Sequence, residues 1–119
     1  MIIYHNPRCR KSRETLQIIE SAGISPTIIK YLDNPPTVQE LERILKKLGK
    51  QPEEIIRKGE KIYKEQFKGE KLSEQEYLNA MVEHPKLIER PIVIEGDRAV
   101  IGRPPENVKE LLSAGGDQV

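Results

Sequence analysis

The residue best suited to chemistry in this sequence is Cys9, the one cysteine among its 119 residues. It follows the turn signal Asn6-Pro7, and apolar residues recur at helical spacing from Arg10 onward. The first turn of a helix presents unpaired backbone N–H groups and the positive end of the helix dipole, which together stabilise an anion such as a thiolate. The pattern therefore predicts a thiol whose pKa lies below that of free cysteine.

Basic side chains surround this cysteine in the sequence. Arg8 and Arg10 are its direct neighbours, Lys11 and Arg13 follow, and His5 lies four residues upstream. Their charge would lower the pKa of the thiol further and attract a small oxyanion, which suits attack by sulfur on an anionic centre. An alternative stays open at this point. A single cysteine is often a small buried apolar residue, and basic residues in a first helical turn are often solvated surface.

Three distant arginines border the ends of predicted elements. Arg90 immediately precedes Pro91, where a cis peptide bond is possible, and Arg103 closes a predicted hairpin. Both would then point at one edge of the sheet, where planar guanidinium groups suit recognition of an oxyanion. Arg57 follows a short helical segment. The alternative for each arginine is an ordinary solvated surface charge.

The order of predicted elements is β-α-β, then several helices, then β-β-α. A helix between two strands indicates a parallel pair with a right-handed crossover, and Gly96-Asp97 between two β-branched runs indicates an antiparallel hairpin. Thr37-x-x-Glu40 and Ser73-x-x-Glu76 are capping boxes that predict two helix starts. The stretch 58–71 carries many charges and two glycines and receives no assignment.

This layout predicts an α/β protein with a thioredoxin-like mixed sheet (βαβ then ββα) and a helical insertion at about residues 37–84. The length favours a single domain over residues 1–113, with a frayed tail at 114–119. We expect a soluble cytoplasmic protein, because no apolar run reaches the length of a membrane span and the first residues lack the pattern of a signal peptide.

Composition argues against several other classes. The formal net charge of +1 gives no general attraction to nucleic acid or a membrane surface, and the scarcity of aromatic residues leaves no stacking platform for single strands. One cysteine forms neither an intramolecular disulfide nor a multi-cysteine zinc site. We expect no metal and no tightly bound cofactor. Redox chemistry at Cys9 would need an external thiol.

The segment Tyr4-His5-Asn6-Pro7-Arg8-Cys9-Arg10-Lys11-Ser12-Arg13 resembles the active-site segment of the glutaredoxin-coupled arsenate reductases, the ArsC family within the ArsC/Spx-like group. Further segments resemble landmarks of that family in the same order, and the resemblance covers residues 1–112. These segments are Thr27-Ile28-Ile29, Tyr31-Leu32, Pro35-Pro36-Thr37, Ile56-Arg57-Lys58, His84-Pro85, Arg90-Pro91-Ile92-Val93 and Arg103-Pro104.

The resemblance implies a thioredoxin-like fold and the reduction of arsenate to arsenite. Cys9 would attack arsenic, glutathione would act as co-substrate and attack the adduct, and glutaredoxin would clear the mixed disulfide on Cys9. The absence of a second cysteine agrees with this external reductant. His5 matches a histidine that helps to keep the cysteine ionised.

Other positions also match the family pattern. Arg57, Arg90 and Arg103 match its oxyanion-binding arginines, which favours a binding role over the surface alternative. Pro91 falls where this fold usually has a cis proline, and Ser12 and Arg13 are expected to support the site.

Two other functions remain possible from the sequence. A regulator of the Spx type shares this fold and uses a C-x-x-C switch, but Ser12 stands at the place of the second cysteine, so an adaptor of this kind would act without the switch. A glutathione-dependent thiol oxidoreductase of unknown substrate would explain the cysteine but not the three arginines. Arg8, Arg10 and Lys11 depart from the small residues often found beside the cysteine in this family; they would strengthen anion binding or crowd glutathione.

Overall fold

The computed structural model describes residues 1–116, which form two compact units. The first unit combines 1–34 with the residues from Arg90 onward, and the second spans Pro35–Glu89. None of the helices in the described residues has the length and apolar character of a membrane span.

A four-stranded mixed sheet forms the centre of the first unit. Its strands are β1 (Ile2–His5), β2 (Thr27–Lys30), β3 (Ile92–Glu95) and β4 (Arg98–Ile101), in the order β2-β1-β3-β4. β1 pairs with β2 in parallel, β3 runs antiparallel to β1, and β4 runs antiparallel to β3. The predicted parallel pair extended by a hairpin is confirmed, and with it the thioredoxin-like fold class.

Helix α1 (Arg10–Ser21) connects the two parallel strands, and the last helix, α6 (Lys109–Gly116), follows a 3-10 turn at Pro105–Val108. Ile19 of α1 and Leu111 of α6 pack with Ile3 and Val93 of the sheet in a core of fully or almost fully buried residues. Burial of such side chains contributes about 1.5–3 kcal/mol each. This core packs α1 against the sheet. The predicted frayed tail, 114–119, lies partly in α6 and partly, at 117–119, outside the described residues.

The second unit is helical, with α2 (Val38–Leu48), α3 (Pro52–Ile55), α4 (Lys61–Gln66), α5 (Glu74–Glu83) and a 3-10 turn at Pro85–Leu87. Both predicted capping boxes are present, at Thr37 and at Ser73. Helix α5 packs against α2 and α3 through buried residues that include Leu41 and Met81. Helix α4, which buries Tyr63, lies in the stretch that received no assignment from the sequence.

Candidate active site

Cys9 lies at one edge of the sheet in the first unit. It is the N-cap residue of α1, directly after the loop that leaves the carboxyl end of β1. Because β3 is antiparallel to β1 and β4 is antiparallel to β3, the amino end of β3 and the carboxyl end of β4 meet at this same edge. Arg90 precedes β3 and Arg103 follows β4. The topology therefore brings both arginines to the cysteine.

The loop before Cys9 is fixed by hydrogen bonds. The backbone N–H of Cys9 donates to the Asn6 carbonyl over 2.9 Å, and the Asn6 side-chain oxygen accepts from the backbone N–H of Arg8 over 3.0 Å. The Arg13 guanidinium donates from Nη1 to the Pro7 carbonyl over 2.9 Å. Arg13 thus holds the loop against the first turns of α1, as a supporting residue would.

The pKa of the Cys9 thiol is lowered. Burial alone raises it, but the backbone N–H of Ser12, the Arg90 guanidinium and the backbone N–H of Lys11 favour the thiolate more strongly. The Arg103 guanidinium adds a contact of 4.0 Å between Nη1 and Sγ. A larger fraction of Cys9 is therefore in the nucleophilic thiolate form than for a free cysteine at the same pH.

Arg90 and Arg103 differ in how their guanidinium groups are hydrogen-bonded. Nη1 of Arg103 also lies 3.4 Å from the Arg90 carbonyl oxygen, which links the two residues. Nε of Arg90 is a buried donor without a hydrogen-bond partner among residues 1–116. A buried charged donor without a partner is costly, and an oxyanion bound beside Cys9 would satisfy it. Both Arg90-Pro91 and Arg103-Pro104 are cis peptide bonds, the first of which agrees with the sequence-based expectation.

Ser12 connects His5 to the cysteine loop. Its hydroxyl oxygen lies 2.6 Å from His5 Nδ1 and accepts from the backbone N–H of Asn6 over 3.0 Å, and all three residues are buried. Burial lowers the pKa of His5, and the nearby Lys30 and Arg13 lower it further. His5 is therefore neutral at neutral pH and gives the thiolate no positive charge. In this arrangement it would influence Cys9 by positioning Ser12, whose N–H favours the thiolate.

Replacing Ser12 with alanine tests this connection. The Ser12→Ala variant leaves the buried Nδ1 of His5 and the backbone N–H of Asn6 without the hydroxyl that now pairs with both. We expect the free energy of unfolding in urea to fall by about 1–3 kcal/mol. Ser21→Ala, an exposed serine at the end of the same helix, is the matched control and should change it by less than about 0.5 kcal/mol. If Ser12→Ala and Ser21→Ala had the same free energy of unfolding, this result would contradict a structural role for the Ser12 hydroxyl.

Gly102 is a residue of this site that the sequence does not single out. A Cβ at Gly102 would collide with Thr15 Oγ1 and lie 2.8 Å from Cγ of Pro91. Its N–H donates to the Pro91 carbonyl over 2.9 Å, which fixes the segment that carries Arg103 against the segment that carries Arg90. Asn107, also missed, donates its side-chain amide to the carbonyls of Ile101 and Arg103 over 3.1 and 3.2 Å. Neither role has a clear signal in the sequence.

Arg57, the third predicted arginine, belongs to the second unit, and it makes contacts with residues of that unit. Its backbone N–H donates to the Leu87 carbonyl over 2.7 Å, and its Nη2 pairs with Glu60 at 3.4 Å. Its Nη1 is buried without a hydrogen-bond partner within the described part of the chain. Oxyanion binding by Arg57 stays a prediction of the resemblance.

Groups of three or more His, Cys, Asp or Glu side chains with metal-ligand spacing do not occur in the described residues. The first unit brings together a cysteine thiol of lowered pKa, helix N–H donors and two guanidinium groups. This set suits attack by sulfur on a small oxyanion.

The chain is similar in sequence and in structure to several bacterial proteins. It is 50% identical to the arsenate reductase of Haemophilus influenzae over 94% of this chain and 98% of that protein. It is 46% identical to the uncharacterized protein YfgD of Escherichia coli K12, over 92% and 94% of the two chains. The structure of the arsenate reductase from Vibrio cholerae superposes with a TM-score of 0.88, at 50% identity, and covers 92% of this chain and 94% of that one. The model of the ArsC family matches residues 4–111, and the chain therefore belongs to the ArsC family.

Proposed function

We propose that this protein is an arsenate reductase in which Cys9 is the nucleophile, arsenate is the substrate and glutathione with glutaredoxin supplies the electrons. The observation that carries the proposal is a thiol whose pKa is lowered by Arg90 and whose Sγ contacts Arg103, together with the buried unpaired donor that Arg90 retains. Relatives that cover nearly the whole chain are named arsenate reductases. The proposal places the protein in the cytoplasm, where the glutathione pool is reducing.

The proposed reaction starts when the Cys9 thiolate attacks arsenic. A sulfur–arsenic bond forms and one arsenate oxygen leaves as water, with Arg90 and Arg103 holding the remaining oxygens. The glutathione thiolate then attacks Sγ of Cys9, the sulfur–arsenic bond breaks, and its electron pair stays on arsenic. This reduces As(V) to As(III) and leaves arsenite and a Cys9–glutathione disulfide. Glutaredoxin removes glutathione from Cys9, which returns the thiol.

Side chains around Cys9 divide into two groups in this mechanism. Arg90 and Arg103 would bind the oxyanion and stabilise the thiolate. His5, Ser12 and Arg13 would position the loop, and Pro91 would hold Arg90 and Gly102 through its contacts at the sheet edge. The reductant comes from outside because the sequence offers no second thiol to Cys9.

Coupled turnover tests the proposal. The purified protein is combined with glutathione, glutaredoxin, glutathione reductase and NADPH, and NADPH loss is followed with arsenate, with phosphate and with neither. We expect loss that depends on arsenate and is absent with phosphate, because thiols do not reduce phosphorus under these conditions. NADPH loss that is equal in all three mixtures would overturn the arsenate assignment and favour a thiol oxidoreductase with another substrate.

A further inference from the structure

A cavity lies beside the Cys9 loop, and neither Arg90 nor Arg103 lines it. Its volume is about 340 Å³, and it is lined by the loop residues Asn6 to Arg8 and by Lys30, Leu32 and Asp33 from the end of β2. β1 and β2 are parallel and His5 is in register with Lys30, so both strands end at this cavity. The carboxyl ends of parallel strands are a common place for ligands in α/β proteins.

The strand order shows that this cavity and the two arginines lie on opposite sides of Cys9. Cys9 follows β1, the cavity is on the β2 side of it, and Arg90 and Arg103 are on the side of β3 and β4. Cys9 thus lies between the two arginines and the cavity, whose lining includes the neighbouring loop residues Asn6 to Arg8 but not Cys9 itself. Attack of a thiolate on sulfur is an in-line displacement, in which the incoming sulfur approaches opposite the bond that breaks. A thiol that displaces arsenic from Cys9 must therefore arrive from the side away from the arginines.

The lining of the cavity has the charges that an anionic peptide thiol requires. Arg8 and Lys30 are exposed cations, and neither forms an ion pair with another residue of the described chain. Asp33 adds one carboxylate, and Leu32 is 38% exposed. Glutathione carries two carboxylates and one ammonium group, which match two cations and one acid. The volume falls at the lower end of the range for small-molecule sites, about 300–1,000 Å³.

We propose that this cavity binds the glutathione moiety that reacts at Cys9, with Arg8 and Lys30 on its carboxylates and Asp33 on its ammonium group. The proposal rests on the proposed function, since it names the site of the reductant in that reaction. The same site would hold the glutathione half of the mixed disulfide that forms on Cys9.

Disulfide exchange tests the site without arsenate. Cys9 attacks oxidised glutathione, forms the Cys9–glutathione disulfide and releases one glutathione thiolate, and mass spectrometry gives the rate. Hydroxyethyl disulfide, which is neutral, is the reference reagent. For the Arg8→Glu/Lys30→Glu double variant we expect the ratio of the glutathione rate to the reference rate to fall about tenfold or more. Arg10→Glu, which reverses an exposed charge next to Cys9 but outside the cavity, should leave the ratio within about twofold.

The outcomes separate this proposal from the proposed function. A ratio that is equal in the wild type and the double variant overturns the glutathione site, even if arsenate turnover is observed. An equal fall in the Arg10→Glu control also overturns it, because general electrostatics would then explain the rate. A selective fall in the double variant supports the site, even in a protein that proves inactive toward arsenate. The reference rate shows that each variant is folded and retains a reactive Cys9.

Discussion

The Cys9→Ser variant should lose arsenate-dependent NADPH oxidation completely, by at least about a thousandfold. The serine hydroxyl is not ionised at neutral pH, so it forms no bond to arsenic. It also takes no part in a disulfide with glutathione, so both the first and the second step of the proposed reaction are blocked. Steady-state rates at saturating arsenate, glutathione and glutaredoxin measure the loss.

Stability gives the control for this variant. Cys9 is the N-cap of α1 and its side chain makes no capping hydrogen bond, whereas serine is among the preferred N-cap residues. Cys9→Ser should therefore unfold at the same urea concentration as the wild type or at a higher one. Activity that persists in the folded variant would show that another group is the nucleophile, and the reaction sequence proposed for Cys9 would be wrong.

Much of the fold follows from local signals. The turn at Asn6-Pro7, the hairpin glycine Gly96 and the capping boxes at Thr37 and Ser73 each specify an element boundary by their own chemistry. Helix α4 has no such signal. It has six residues, one of which is buried, and its neighbours include glycines and many charges, so no helical period is visible.

The contacts within the site could be predicted from the sequence only in part. The sequence predicts that helix N–H groups and neighbouring cations lower the pKa of Cys9. The structure shows that direction and the N–H contribution, from Ser12 and Lys11, but the cation is a different one. The nearby cation Arg10 is exposed and pairs with Glu14 at 2.9 Å, whereas the effective guanidinium belongs to Arg90. Residues 9 and 90 meet because β3 pairs with β1, and this pairing is a tertiary feature without a local signal. The need for glycine at position 102 likewise depends on distances across the sheet edge.

The second large effect is expected for Arg90→Ala. This change removes the guanidinium group that lowers the pKa of Cys9 and carries the buried unpaired donor at Nε. Hydrogen bonds to charged groups contribute about 1.5–3 kcal/mol, which corresponds to roughly ten- to over a hundredfold in affinity. We expect the KM for arsenate to rise by that factor, and Arg103→Ala to act in the same direction.

Arg90→Ala should also change the pH dependence of the thiol. The guanidinium favours the charged thiolate, so its loss raises the pKa of Cys9 and moves the rate of iodoacetamide alkylation to higher pH. Arg98→Ala, an exposed arginine of β4, is the matched control and should leave both the KM and the alkylation profile unchanged. A raised KM with an unshifted alkylation profile would mean that Arg90 binds the oxyanion without stabilising the thiolate. Unchanged values for both would remove Arg90 from the site, because the two proposed roles depend on the same guanidinium group.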